Sequence, residues 1–342
     1  MPAKITPDTN VKITGKRQKT KRVVKSKKVI IGILTLLLFL FPLLQIIYGG
    51  LNYHLHFLLY TFMYIAMASG WNIIGGYAGY ASLGHNVFFA IGGYFSGAIF
   101  VYFGISPFIT APVAGLAAMV IGLIFGLISL RTRGPAFIIS TLALSLLLRI
   151  LLDNWDLIGG SNGMSMPLLR INQTYIKFPF YYGMLLIAIA TVFVSYKIQH
   201  SKFGLGLRAI SQDETKAEVA GINTRLYKIV AFAISASFVG AAGALWAYLL
   251  TYLRPSIFLE LVIAADLVFM AILGGKSTVA GPVLGAILLN IVNEFAIVQM
   301  GSTELNIAVT GVFFILVLLF FPQGIVGTLR EHGKLPGFLD WD

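Results

Sequence analysis

The chain has 342 residues, 58% of them hydrophobic and 11% charged, with a mean hydropathy of +0.86. Soluble domains carry about 25% charged residues, so this composition excludes an ordinary soluble enzyme and describes a polytopic membrane protein. Cysteine is absent, which excludes disulfides and thiol chemistry; of the formal charge of +12, residues 1–28 carry ten Lys or Arg against one Asp.

Residues 1–28 read as a disordered, basic cytoplasmic tail. Such a segment next to a span is topogenic rather than a nucleic-acid arm. The apolar run 29–48 lacks a small-residue cleavage site and reads as a retained first span. Further apolar runs follow at 57–74, 86–103, 107–130, 134–152, 178–196, 229–253, 257–273, 280–298 and 305–321, which makes ten. The predicted fold is all-α, with a membrane domain over 29–328 and a cytoplasmic tail over 329–342. With residues 1–28 inside, the inner segments hold 21 basic residues and the outer ones only Arg170, Lys177 and Arg254. That asymmetry satisfies the positive-inside rule with both termini cytoplasmic.

Two Gly-rich stretches interrupt the apolar pattern. GGYAGYASLGH (75–85) and GGKSTVAGPVLGA (274–286) each open on Gly-Gly, carry a polar middle and re-enter a helix. Broken helices of this kind are tolerated at membrane depth only inside protein or beside a watery cavity, and a pair of them suggests two related halves with a transport path between. The candidate path residues are Gly76, Gly79, Tyr80, Ser82, Gly84, His85, Gly274 and Gly275, with the intramembrane carboxylates Asp266 and Glu294.

Residues 197–228 form the longest polar interruption, with six basic and three acidic side chains. Ser211 and Glu214 stand at capping-box spacing, and Gly221 is placed to end the helix they would begin, from Gln212 to Ala220. A helix of about nine residues is marginal in water, so it requires a partner surface. Ser211, Gln212, Asp213, Glu214, Lys216, Glu218 and Gly221 are therefore the candidate docking residues.

Other patterns have plainer readings. GGKST at 274–278 resembles the end of a phosphate-binding loop, but Met270 stands where that loop needs Gly. The GxxxG spacings at Gly75/Gly79, Gly93/Gly97, Gly122/Gly126 and Gly281/Gly285 suit internal helix packing. His85 has no second ligand at metal spacing and is expected to hydrogen-bond within the break. Arg149 can pair with Asp153 one turn on. No nucleophile and base pair or metal cluster presents itself, so catalysis is not expected.

The stretch GYAGYASLGHNVFFAIGGY (76–94) resembles the signature of the branched-chain amino acid ABC transporter permeases of the LivM type. RTRGPAFIISTLALSLLLRILLDNW with GGSNGM (131–164), FGLGLRAISQDETKAEVAGIN (203–223), ADLVFMAILGGKSTVAGPVLGA (265–286) and FPQGIVG (321–327) continue the likeness in order. The resemblance covers roughly 57–328. Tyr80 stands where the signature usually has Gln, and Asp266 where a Glu is frequent.

The resemblance implies a non-enzymatic permease subunit of a binding-protein-dependent importer in the bacterial cytoplasmic membrane. Its expected partners are a second, homologous permease of the LivH type, two cytoplasmic ATPases and an extracytoplasmic solute-binding protein. This chain would hold no cofactor, ATP and Mg belonging to the ATPases. The 211–221 helix would be the coupling element, and the solute a branched-chain or other apolar amino acid. Urea or short amides are the alternative solutes, and an ion-coupled carrier working through Asp266 and Glu294 is the alternative class.

Overall fold

Apolar runs of about 20 residues separated by Pro, Gly and polar punctuation dictate the architecture, because a run of that length spans lipid as a helix that satisfies its own backbone hydrogen bonds. A computed structural model describes residues 32–45, 49–168, 175–300 and 303–333, with 335, 336, 339 and 341. The basic tail, the ends of the 29–48 run, Arg170 and Lys334 lie outside the described residues.

The helices are α1 (Gly32–Gln45), α2 (Asn52–Asn72), α3 (His85–Phe103), α4 (Pro107–Ser129), α5 (Pro135–Asp153), α6 (Lys177–Gln199), α7 (Lys202–Gln212), α8 (Glu214–Val219), α9 (Thr224–Leu250), α10 (Pro255–Phe258), α11 (Leu261–Gly274), α12 (Ala280–Met300), α13 (Thr303–Phe320) and α14 (Gly324–Glu331). Among the described residues nine segments are long and apolar enough to cross a membrane, and α1 is a shorter apolar helix. Two short strands, β1 (Met164–Ser165) and β2 (Tyr252–Leu253), pair antiparallel at one end of the bundle.

Several expected boundaries move. The 57–74 span begins five residues earlier, at Asn52, and runs on through a π-type turn over Ile73–Tyr77. The 257–273 span begins two residues earlier, at Pro255 in the first turn of α10, and divides into α10 and α11.

Helix α9 is the axis of the bundle, packed against α2, α3, α4 and α6. Small residues let the backbones close. A Cβ on Gly92 of α3 would stand 1.9 Å from the Gly240 carbonyl oxygen of α9, so this crossing is a backbone-to-backbone contact of the kind small residues allow in membranes. Aromatic rings fill the space beside it. Phe88 and Phe232 meet edge to face at 5.2 Å, and His85 packs against both. The GxxxG glycines lie inside the fold: Gly122 abuts Ala236, Gly97 abuts Leu253, and Gly285 abuts the Met270 carbonyl.

Alternation of the spans brings five segments to one end of the bundle, called here the basic end. They are the 75–84 break, the α4–α5 connection with Arg133, the whole of α7 and α8, the 274–279 break, and α14. At the opposite end Lys177 donates to the Asn52 carbonyl at 3.0 Å, and the β1–β2 pair closes over residues 158–163.

Candidate functional site

The polar segment folds as two helices, each opened by a side-chain cap. Ser201 accepts from the Gly204 amide at 3.1 Å to start α7, and Asp213 accepts from the Lys216 amide at 3.0 Å to start α8. Asn223 then caps α9 through the Leu226 amide at 3.1 Å. The expected box from Ser211 to Glu214 is therefore corrected. Ser211 and Gln212 belong to the last turn of α7, and Asp213, with extended backbone (φ −161°), is the cap. The reason is geometric: an N-cap needs non-helical φ and ψ, and residue 211 is still helical. Gly221 does end α8, at φ +85°, with the Ile222 amide reaching back to the Ala217 carbonyl at 3.0 Å.

Helix α8 is two-faced. Ala217 is buried and Glu214 points inward with its side chain 11% exposed, whereas Val219 is 86% exposed. Glu214 meets Lys228, whose Nζ donates to Oε1 at 2.5 Å from a side chain only 3% exposed. The Tyr80 hydroxyl donates to the other carboxylate oxygen, and Lys228 also donates to the Tyr80 hydroxyl at 3.1 Å. The ammonium lies 4.6 Å from the Tyr80 ring centroid, adding a cation–π contact. Arg133 closes the cluster from the α4–α5 connection, 3.3 Å from Glu214 and 3.4 Å from Glu218, and Thr224 donates to Glu218 at 2.7 Å.

Charge balance follows from this geometry. Burial alone would raise the Glu214 carboxyl, but the hydrogen bonds from Lys228 and Tyr80 and the charges of Lys228 and Arg133 outweigh it and hold the group below its ordinary value. Burial, then the Glu214 carboxylate, raises the Tyr80 hydroxyl, which therefore stays a protonated donor. Asp213 is lowered by the Lys216 amide it caps and by the Lys216 side chain.

Tyr80 belongs to the first Gly-rich break, so this cluster joins α8 to it. The break is a largely buried connection between α2 and α3 that runs inward, with Gly79 exposed. Tyr80 lies level with Lys228 on α9, while His85, at the start of α3, bonds Ser235 at 2.9 Å, seven residues or about 10 Å deeper along the same helix. Its backbone is satisfied by protein. Trp71 Nε1 donates to the Ser82 carbonyl at 2.8 Å, and the Leu83 amide donates to Thr141 Oγ1 at 3.1 Å. Gly79 takes φ +76°, a left-handed conformation suited to glycine, and a Cβ there would also stand 2.9 Å from Ser211 Oγ. Gly84 lies against the Thr141 carbonyl.

The second break meets the first. Asn72, fully buried, donates to the Thr278 carbonyl at 2.9 Å and accepts from the Ser277 amide at 3.1 Å. Ser277 in turn donates to the Gly76 carbonyl at 2.6 Å and holds a left-handed backbone, φ +69°. Gly274 packs on the Gly281 carbonyl, and Gly275, at φ +122°, on α14.

Not every candidate converges here. Asp266 is buried on α11, within electrostatic reach of Tyr64 and Glu260, and lies eight residues, about 12 Å, before the second break. Glu294 lies near Tyr53 and His56 toward the far end of α12. The two carboxylates are thus set apart from the junction of the breaks. Arg149 pairs with Asp153 at 3.8 Å. Among the described residues no group of three or more His, Asp or Glu is placed to hold a metal ion.

Sequence reasoning missed Lys228, Arg133, Asn72 and Val219. Lys228 carried a faint signal, a lone cation at the edge of an uncharged run of 25 residues (229–253).

Together these features define a polytopic helical membrane protein in which a short peripheral helix is tied through an ion pair to broken helices inside the bundle. The chain belongs to the family described as branched-chain amino acid transport system/permease component, whose model matches residues 53–318. It is 29% identical over 302 residues to the high-affinity branched-chain amino acid transport system permease protein LivM of Escherichia coli, covering 80% of this chain and 70% of that one. It is 25% identical over 316 residues to the probable LivM of Methanocaldococcus jannaschii, covering 79% and 92%. It is also 29% identical over 139 residues to the E. coli permease protein LivH, covering 41% and 44%. No solved structure matches the chain.

Proposed function

We propose that this chain is the membrane-spanning permease subunit of a binding-protein-dependent ABC importer that moves branched-chain or other apolar amino acids. It works beside a second, LivH-type permease, with two ATPases on the basic end and a solute-binding protein at the opposite end. The basic end faces the cytoplasm of a bacterial cell, and both termini lie on that side. The observation that carries the reading is the division of α8. Val219 faces outward, unsupported by its own chain, while Glu214 faces inward to Lys228 and Tyr80.

A partner pressing on Val219 moves α8, and the buried ion pair transmits that movement to the foot of α9 and to the 75–84 break. The contact of Asn72 and Gly76 with Ser277 passes it to the second break. Rocking of the spans then exposes the solute path to one side and the other. This chain holds no ATP or Mg, both of which belong to the ATPases.

The test separates docking from transmission. The chain is co-expressed with its candidate partners and purified by a tag, and its vesicles are assayed for ATP-driven leucine uptake. Val219→Asp is expected to lose the ATPases from the purified complex. Glu214→Gln is expected to retain them and to lose uptake. If Val219→Asp keeps a full complement of ATPases and full uptake, α8 is not the docking element and the reading fails.

A further inference from the structure

Away from the junction of the breaks, one carboxylate stands bare at a depth where membrane proteins rarely leave one. Glu260 is the N-cap residue of α11 but makes no capping bond with its side chain. It is exposed, and the apolar side chains Ile257, Leu261 and Val262 beside it are exposed too. Its depth is fixed from both ends. Gly274, at the basic end, lies 14 residues further on, about 21 Å along α11. Asn86 Nδ2 donates to the Glu260 carbonyl at 3.2 Å, and from Asn86 helix α3 runs another 17 residues, about 26 Å, toward the opposite end. Glu260 therefore lies well inside a hydrocarbon layer about 30 Å thick.

Nothing in the chain neutralises this group. Among the described residues the Glu260 carboxylate makes no hydrogen bond or ion pair. Asp266, only 7% exposed, makes none either, and the two carboxylates lie within electrostatic reach of each other. A charge turned toward lipid is costly, so ionisable groups at this depth face a watery cavity or another protein surface and find partners there. One exposed and one buried carboxylate, neither of them paired, call for a cation from outside the chain. Tyr64 lies within reach of both. Tyr60 and His56, each one turn nearer the opposite end on α2, continue its line of rings at 6.4 and 4.8 Å between centroids. Aromatic faces attract an ammonium and pack against apolar side chains.

We infer that Glu260 lines the solute path and receives the ammonium group of the amino acid as it crosses, with Asp266 adding a second negative charge. The inference rests on the importer reading, in which the second permease covers the face of Ile257, Leu261 and Val262 and closes a watery path around the carboxylate. Charge pairing of this kind selects the ammonium, and the aromatic line beside it accommodates the apolar side chain.

Because the chain has no cysteine, single-cysteine labelling tests this. The full chain, co-purified with its partners and placed in vesicles, carries either Leu261→Cys, next to Glu260, or Leu186→Cys, exposed on α6. A quaternary-ammonium thiosulfonate reacts with the thiolate, which forms in water and not against lipid, so Leu261→Cys is expected to label about ten-fold faster or more. Leucine is expected to slow that labelling, as is isopentylamine, which keeps the ammonium of leucine without its carboxylate. Isocaproate, which keeps the carboxylate alone, and sodium are expected to leave it unchanged. Glu260→Gln in the Leu261→Cys chain is expected to remain faster than Leu186→Cys and to lose the protection. Labelling of Leu261→Cys no faster than Leu186→Cys, equal protection by isocaproate or sodium, or protection that survives Glu260→Gln overturns the inference. Labelling needs neither ATP nor uptake. A complex without ATPases would therefore overturn the importer reading and still leave the labelling pattern to decide on Glu260.

Discussion

Lys228 at the foot of α9 and Glu214 on α8 form an ion pair of 2.5 Å, with side chains 3% and 11% exposed. Two charges so far from water persist only when each satisfies the other and further donors fill the remaining lone pairs. Tyr80 and Arg133 provide those donors, one from the first break and one from the α4–α5 connection. The peripheral helix is thereby bonded to three other parts of the bundle through one carboxylate.

Removing one partner should expose the cost of this arrangement. Lys228→Met leaves Glu214 buried with a lost counter-charge and is expected to destabilise the fold by about 3–5 kcal/mol. Lys228→Met combined with Glu214→Leu should recover most of that loss, because no unpaired charge remains. Unfolding in detergent, followed by fluorescence, gives the double-mutant cycle. Additive losses would mean that the pair has no energetic coupling.

The same pair fixes a pH dependence. The Glu214 carboxyl is lowered in the folded state relative to its unfolded value of about 4.3. Its contribution is therefore complete above the unfolded value and is lost as pH falls through the lower folded value. The stability difference between wild type and Glu214→Gln is expected to be constant near neutrality and to shrink below about pH 4.3. A difference that grows on acidification would show that the group is not lowered.

Glycine substitutions should divide sharply by position. A Cβ on Gly274 would stand 1.7 Å from the Gly281 carbonyl oxygen, so Gly274→Ala must separate α11 from α12. Overpacking of this kind costs about 1–3 kcal/mol or more. Gly311 in α13 has nothing within 4 Å of a built Cβ, and Gly311→Ala should be neutral or slightly stabilising, alanine being the better helix former. Melting temperatures of the two variants in detergent would decide it, equal shifts contradicting the packing account.

Energy coupling gives a further expectation. Uptake in cells should persist when a proton ionophore collapses the gradient while ATP stays high, and Asp266→Asn or Glu294→Gln should leave an ATP-driven response. The two carboxylates stand apart from the junction of the breaks, about 12 Å away for Asp266. Uptake that stops with the gradient at full ATP, and fails in both variants, would favour the ion-coupled class.

The membrane class, the approximate spans and the positions of both breaks were legible in the chain itself. Lipid imposes local rules: a span needs about 20 apolar residues, a break needs glycine, and polar segments end at water. Family motifs were legible for the same reason, since each is a contiguous string. Caps were half legible. Asp213 competes with Ser211 three residues from different partners, and only the backbone angles, extended at Asp213 and helical at Ser211, choose between them. What tertiary structure alone decided is which distant residues meet. Lys228 and Tyr80 are 148 positions apart, and Asn72 and Ser277 are 205 apart. A lone lysine or asparagine in an apolar run carries no address for its partner. The address is set when α9 packs at the centre of the bundle and burial obliges each polar group to find another.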